Sequence, residues 1–143
     1  MKTSKLVVMI LLISTCYECF SQIGITSYSI YALGINTSQN KKSSGELKMF
    51  ANRPIGDLLV EINGFYNFKT RDYHRFSIGI GFNIGPFRGF DNIYALTIPA
   101  AIEFFPFKDF KKISFLFELA PELLVEEDIN IRWLWGIRYS FVK

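Results

Sequence analysis

The fold is decided by Ile129-Asn130-Ile131-Arg132-Trp133-Leu134-Trp135-Gly136-Ile137-Arg138-Tyr139-Ser140-Phe141-Val142-Lys143. The odd positions from Ile129 to Phe141 are all large and apolar or aromatic. The even positions, Asn130, Arg132, Leu134, Gly136, Arg138 and Ser140, are mostly polar, charged or small. Neighbouring side chains of a strand point to opposite faces, so this stretch reads as a strand with one greasy face and one polar face.

The same rhythm recurs upstream. Arg75 to Gly85 sets Phe76, Ile78, Ile80, Phe82 and Ile84 against Ser77, Gly79, Gly81, Asn83 and Gly85. Several glycines on one strand face imply close approach or tight curvature. Leu58 to Phe68, Ile93 to Phe105 and Ile113 to Ala120 alternate in the same way, and Glu46 to Arg53 does so more weakly. Ile23 to Asn36 reads as one strand of ambiguous phase, with a bulge near Ser27-Tyr28-Ser29. Pro99 inside a strand predicts another bulge. Pro121 to Asp128 reads as the turn that ends the sixth strand. No stretch downstream of the N-terminal segment shows sustained 3.6-residue periodicity with caps, so no helix is expected there.

The count is seven visible strands. A closed single-chain bacterial barrel has an even number, so eight are expected. The eighth is sought in Thr37–Glu46, around Phe87–Phe90, or in Leu123–Glu127.

Bulk properties narrow the class. The 143 residues suffice for one domain with a core. Half of the residues are hydrophobic and 17% aromatic, far too apolar for a disordered chain. The net charge of +3 is small and the basic residues are scattered, which argues against nucleic acid as a partner.

The N-terminus has the pattern of an export signal. Lys2 and Lys5 precede the apolar run Leu6–Ile13, and small Cys19 and Ser21 form an A-x-A-like cleavage site that leaves Gln22 as the first mature residue. The run is too short for a membrane helix, which takes about 20 residues. The expected organisation is a signal peptide over 1–21 and one domain over 22–143. The alternatives are a buried N-terminal helix, or lipidation at Cys16, whose preceding Ile13-Ser14-Thr15 fits a lipobox loosely. Cys16 and Cys19 both fall in the removed segment, so no disulfide or thiolate metal site is expected in the remainder.

Alternation fits either a soluble barrel with its apolar face inward or an outer-membrane barrel with that face toward lipid. The polar faces carry Gly, Ser, Ala and Asn with isolated charges, while most Lys, Arg, Asp and Glu lie in the connections. Small residues suit the narrow interior of a small barrel, which side chains must fill. Tyr66, Phe68, Phe76, Tyr94, Phe104, Tyr139 and Phe141 lie near strand ends on the apolar face, as in an interfacial girdle. The expected fold is therefore an all-β, antiparallel up-and-down transmembrane barrel of eight strands.

These features, with the terminal Trp135-Gly136-Ile137-Arg138-Tyr139-Ser140-Phe141 strand, Glu103–Lys108 and Phe117–Leu123, resemble the small outer-membrane β-barrel proteins of Gram-negative bacteria. The resemblance implies outer-membrane lipid as surroundings. It also implies that the barrel-assembly machinery reads the closing aromatic strand, with Trp133, Trp135, Tyr139 and Phe141 facing lipid. Val142 and Lys143 follow Phe141, whereas the family's strand ends on the aromatic itself.

The charges on the polar faces, Glu61, Glu103, Glu118, Arg132 and Arg138, would then lie inside the barrel, where unpaired charge is costly. They are expected to pair, Glu118 with Arg138 directly. The expected role is a structural plug, with a polar path or a small-ligand site as the sharper alternative. Catalysis is not expected: His74 is the only histidine, and His74 and Ser77 have opposite parity. No cofactor or metal is called for. The leading reading is a structural or interaction protein of the outer membrane, its protein partner unidentified. The second is a soluble or lipid-anchored periplasmic barrel that binds an apolar small molecule.

Overall fold

A computed structural model describes residues 23–37, 41–51, 58–68, 71–86, 93–124 and 129–141. The segment expected to be a signal peptide, both cysteines, and residues 38–40, 52–57, 69–70, 87–92, 125–128 and 142–143 lie outside these residues.

The described chain is all strand and connection, with no helix. The strands are β1 (Gly24–Tyr28), β2 (Ala32–Asn36), β3 (Ser43–Phe50), β4 (Leu59–Asn67), β5 (His74–Ile84), β6 (Ile93–Thr97), β7 (Ala100–Phe104), β8 (Ile113–Leu124) and β9 (Ile129–Ser140). Every pairing is antiparallel. β6 and β7 are successive segments of one stave, both lying between β5 and β8. β1 pairs with β9 and β4 with β5, so eight staves close into a barrel.

The stagger follows from the registers. From Gly136, the ladder runs through Leu116 and Glu103 to Arg75 on β5. The other way it runs through Tyr28, Ala32, Phe50 and Leu59 to the β5 position of Gly85, one step beyond the Val60↔Ile84 pair. Arg75 and Gly85 are ten residues apart, which is the barrel's shear. Eight strands with such a stagger tilt by about 35–45° and enclose just enough room for side chains.

The eighth strand lies where none was sought. Ile23–Asn36 is not one strand but the hairpin β1–β2, turning at Ser29-Ile30-Tyr31. Its register pairs Tyr28 with Ala32, so the inward parity is the same on both sides of the turn. A hairpin of this register and a single long strand therefore give the same alternation. The turn carries no Gly or Asn to betray it; Tyr31 itself takes the positive φ of 52°.

Two other strand features differ from expectation. Pro121 does not end β8, which runs on to Leu124. Pro99 causes no bulge, since the registers before and after it are continuous with both neighbours. What it causes is the gap between β6 and β7. Pro99 O accepts from Gly79 N–H at 2.7 Å, but Pro99 has no N–H to return. On the other side Pro121 O accepts from Ile98 N–H at 3.0 Å and likewise returns nothing. Two missing donors flank Ile98-Pro99, and the ladder lapses there without slipping. The register shift falls instead at Asn83/Ile84, between β5 and β6.

Sidedness is inverted relative to a water-soluble barrel. Outward positions carry Ile25, Leu33, Ile35, Leu47, Ile62, Ile78, Ile80, Phe117, Leu119 and Ile137, all exposed. Inward positions carry Thr26, Glu46, Lys48, Glu61, Asn63, Asn83, Glu103, Glu118 and Arg138, all buried. The apolar inward residues, among them Tyr28, Phe50, Leu59, Phe65, Leu116 and Leu134, pack between these polar groups.

Candidate functional site

The interior is organised around Lys48. Its ammonium, borne on β3, lies 2.5 Å from Glu118 Oε1 on β8 and 3.0 Å from Glu61 Oε1 on β4. Glu46 Oε2 is 3.9 Å away. Arg132 of β9 donates to Glu61 Oε2 and to Glu122 Oε1, each at 2.5 Å, and lies 3.6 Å from Glu118 Oε1. Its guanidinium carbon stands 5.0 Å from the centre of the Phe50 ring.

Two of these ion pairs cross the whole lumen. β3 and β8 are four staves apart in a barrel of eight, as are β4 and β9. Lys48–Glu118 and Arg132–Glu61 therefore join diametrically opposite walls. Only an interior this narrow lets single side chains do so.

A second cluster lies toward the end that carries residues 23 and 141. Arg138 donates to Glu46 Oε1 at 3.2 Å, Glu103 Oε2 at 3.4 Å and Thr26 Oγ1 at 2.8 Å. Arg75 donates to the same Glu103 carboxylate, through Nε at 3.1 Å and also through Nη2. Ser114 donates its hydroxyl to the other Glu103 oxygen. Tyr28 donates to Glu46 Oε1 at 2.6 Å, and Glu46, lying near Lys48, links the two clusters. The buried Phe105 ring lies 5.4 Å from the Arg75 guanidinium at this end.

Among the described inward residues five carboxylates, Glu46, Glu61, Glu103, Glu118 and Glu122, meet four cations, Lys48, Arg75, Arg132 and Arg138. Neutral donors supplement the cations. Asn63 Nδ2 donates to Glu61 at 2.6 Å and Asn83 Nδ2 to Glu122 at 3.3 Å, alongside Tyr28 and Ser114. Such neutral donors spread the negative charge without bringing in another ion.

Glycines make the room. A Cβ on Gly136 would stand 2.5 Å from Ser27 O and 3.2 Å from Tyr28 Cδ1, so the bare backbone lets the Tyr28 ring lie across the β1–β9 seam.

Glu61, Glu103, Glu118, Arg132 and Arg138 all point into this interior. The expected direct pair of Glu118 with Arg138 is not made. Glu118 stands opposite Leu134, and Arg138 stands opposite Ser114, four residues along β8. Glu118 pairs with Lys48 and Arg138 with Glu46 and Glu103 instead. Sequence reasoning missed Lys48, Glu46, Arg75 and Glu122. Glu46 and Lys48 share the parity of Phe50 on β3, opposite Leu47 and Met49, which was the available signal. Arg75 sits at a strand start, and Glu122 follows Pro121, where the sequence reads as a turn.

Trp133, Trp135, Tyr139 and Phe141 all point outward. The outward aromatics at the end of the second cluster adjoin one another: Tyr66 and Phe68 are 5.2 Å apart, Phe68 and Phe76 5.4 Å, Tyr139 and Phe141 4.9 Å. Phe104 and Phe115 are register partners at the same end. The Tyr94 side chain lies outside what is described. Ser77 faces inward and donates to Asn67 at 2.7 Å, while His74 has the outward parity. Among the described residues no group of acidic, His or Cys side chains could hold a metal ion.

No family model matches the chain, and no curated protein matches it in sequence.

Proposed function

We propose that the protein is an integral outer-membrane barrel with a structural or interaction role and an interior closed by its own charges. One observation carries this reading: the barrel buries its ion pairs and exposes its aliphatic side chains. In water that arrangement forfeits the hydrophobic driving force, whereas in a bilayer it satisfies both faces. Stave length supports it. β4, β5, β8 and β9 have 9, 11, 12 and 12 residues, and a tilted membrane strand needs about 9–11. The aromatic ring at one end of the wall corresponds to an interfacial girdle.

A closed interior follows from the Lys48–Glu118 and Arg132–Glu61 pairs across the lumen. A polar path would have to part them. An apolar ligand inside the barrel would have to displace buried carboxylates and guanidinium groups, which makes the periplasmic binding module the weaker reading.

The test is fractionation of cells producing the full chain, followed by gel electrophoresis with and without boiling. The expected result is a band in the detergent-extracted outer membrane that shifts on heating. A soluble periplasmic protein, or an unshifted band, overturns the proposal.

A further inference from the structure

The fold gathers basic residues that the sequence scatters. Lys41, Lys42, Arg71, Lys108, Lys111 and Lys112 all lie at the end of the barrel that carries residues 23 and 141, and all but the half-buried Lys112 are exposed. Among the described residues only Asp72 and Asp109 oppose them there, and Asp72 already lies 3.6 Å from Lys108. At the opposite end the described connecting residues, Ser29 to Tyr31, Ala51, Leu58, Gly85 and Pro86, carry no charge.

The cations ring the rim. They sit on the connections β2–β3, β4–β5 and β7–β8, which recur at every second stave around the barrel. Backbone hydrogen bonds fix their places. Lys41 O accepts from Asn67 Nδ2 at 2.9 Å, Lys42 O from Asn67 N–H at 2.7 Å, and Lys112 O from Ser140 N–H at 2.8 Å. Exposed aromatic rings stand beside them. Tyr66 is the register partner of Ser43, the residue after Lys42. Tyr73 follows Arg71 by two residues, and Phe107 and Phe110 are interleaved with Lys108 and Lys111. Past these rings, the described outward strand positions carry no Asp, Glu, Lys or Arg. The basic ring therefore borders an uncharged wall.

We infer that this rim binds the headgroups of anionic phospholipids, several at once, with their acyl chains on the adjoining wall. The inference rests on the membrane reading. Near an anionic bilayer surface each Lys or Arg is worth about 5-fold in affinity. A lysine stem lies along apolar surface while its ammonium reaches a phosphate, and aromatic rings settle at the same level. Cations spread around a circumference suit separate headgroups, whereas a linear polyanion needs a stripe. A protein docked over the end of the barrel would leave the outward Tyr66, Phe104 and Phe115 rings uncovered, while a phospholipid covers ring and cation together.

The test uses the full barrel, isotope-labelled in zwitterionic micelles and titrated with short-chain phosphatidylglycerol. Phosphatidylglycerol should shift the backbone amides of Lys41, Lys42, Arg71 and Phe107 to Lys112 and leave those of Ser29 to Tyr31 in place. Phosphatidylcholine of the same chain length, and inorganic phosphate, should each bind there at least about 10-fold more weakly. Raising the salt to about 0.5 M should remove most of that preference. Lys41→Gln, Lys42→Gln, Lys108→Gln and Lys111→Gln together should weaken phosphatidylglycerol binding by about 10-fold or more while the heat-shifted band persists. If that variant does not fold, the salt series on the unaltered chain reads the same dependence. Four results would overturn the inference: equal response to the two lipids or to phosphate, shifts at Ser29 to Tyr31 instead, binding indifferent to salt and to the four substitutions, or an acidic peptide that binds the rim more tightly than phosphatidylglycerol. With the heat-shifted band in the outer membrane, these results remove the lipid rim alone; a soluble barrel removes the rim and the membrane reading together.

Discussion

Lys48 Nζ and Glu118 Oε1 meet at 2.5 Å from opposite walls of the barrel, and this contact makes the interior one unit. Lys48 stands among Glu118, Glu61 and Glu46 and is the cation nearest to Glu118; Arg132 also holds Glu61, and Arg138 holds Glu46. Removing the cation should therefore do more harm than removing one acid. Lys48→Met leaves the buried Glu118 with only Arg132, at 3.6 Å, to offset its charge and should cost about 3–5 kcal/mol. Glu118→Gln leaves Lys48 its Glu61 partner and should cost less. Denaturant unfolding in detergent, followed by tryptophan fluorescence, measures both. Equal midpoints for the two variants would contradict this arrangement.

Shielding gives a second expectation. The Lys48 and Arg138 pairs are closed off from solvent, whereas Lys108–Asp72, at 3.6 Å, is an exposed contact between connections. Salt screens exposed pairs over about 10 Å at 0.1 M and reaches buried ones far less. Lys108→Ala should change stability by less than about 1 kcal/mol. Raising the salt concentration should leave the large cost of Lys48→Met in place. A cost that vanishes in high salt would mean that water reaches the interior pairs.

Gly136 tests the seam that closes the barrel. A methyl group there meets a backbone oxygen, Ser27 O, which moves only if β1 and β9 part. Gly136→Ala should destabilise by about 1–3 kcal/mol, the usual range for overpacking. Gly45, where an added Cβ meets only Asn63 O at 3.7 Å, is the control, and Gly45→Ala should be nearly neutral. The heat-shift assay at graded temperatures separates the two.

Tyr31 holds a positive φ that bulky residues adopt at a cost, and its side chain is 81% exposed. Tyr31→Gly should relieve the backbone and raise the unfolding free energy in detergent by up to about 1 kcal/mol, read from the shift of the denaturation midpoint. A fall of that size would show that the exposed ring holds the hairpin in place.

The barrel was legible in the sequence because alternation survives every local accident. Phe76 to Ile84 and Ile129 to Phe141 declare their faces without any tertiary information. The β1–β2 turn was hidden because its register preserves parity and its left-handed residue is a tyrosine. The interior was legible as a set of charges but not as a wiring diagram. Pairing depends on stagger, and a shear of ten residues brings Lys48 to Glu118 across the lumen while it carries Arg138 away from that glutamate. Lys48 and Glu46 escaped notice because their short strand follows a polar loop, where lysine ordinarily means solvent.

Trp133 and Trp135 report directly on the surroundings of the wall, since both project outward from β9. Trp135 lies opposite Phe117, and Trp133 opposite Leu119, two steps nearer the Leu123–Ile129 end of the β8–β9 pair. If lipid covers the wall, lipids carrying a quencher on the acyl chain should quench both, and an aqueous quencher neither. A quencher near the bilayer centre should act more strongly on Trp135, seen in the Trp133→Phe variant, than on Trp133, seen in Trp135→Phe. Lipid quenching requires acyl chains in contact with the indole, which a barrel free in the periplasm never has. Strong aqueous quenching of both residues in reconstituted vesicles would remove the support that the outward face gives to membrane insertion.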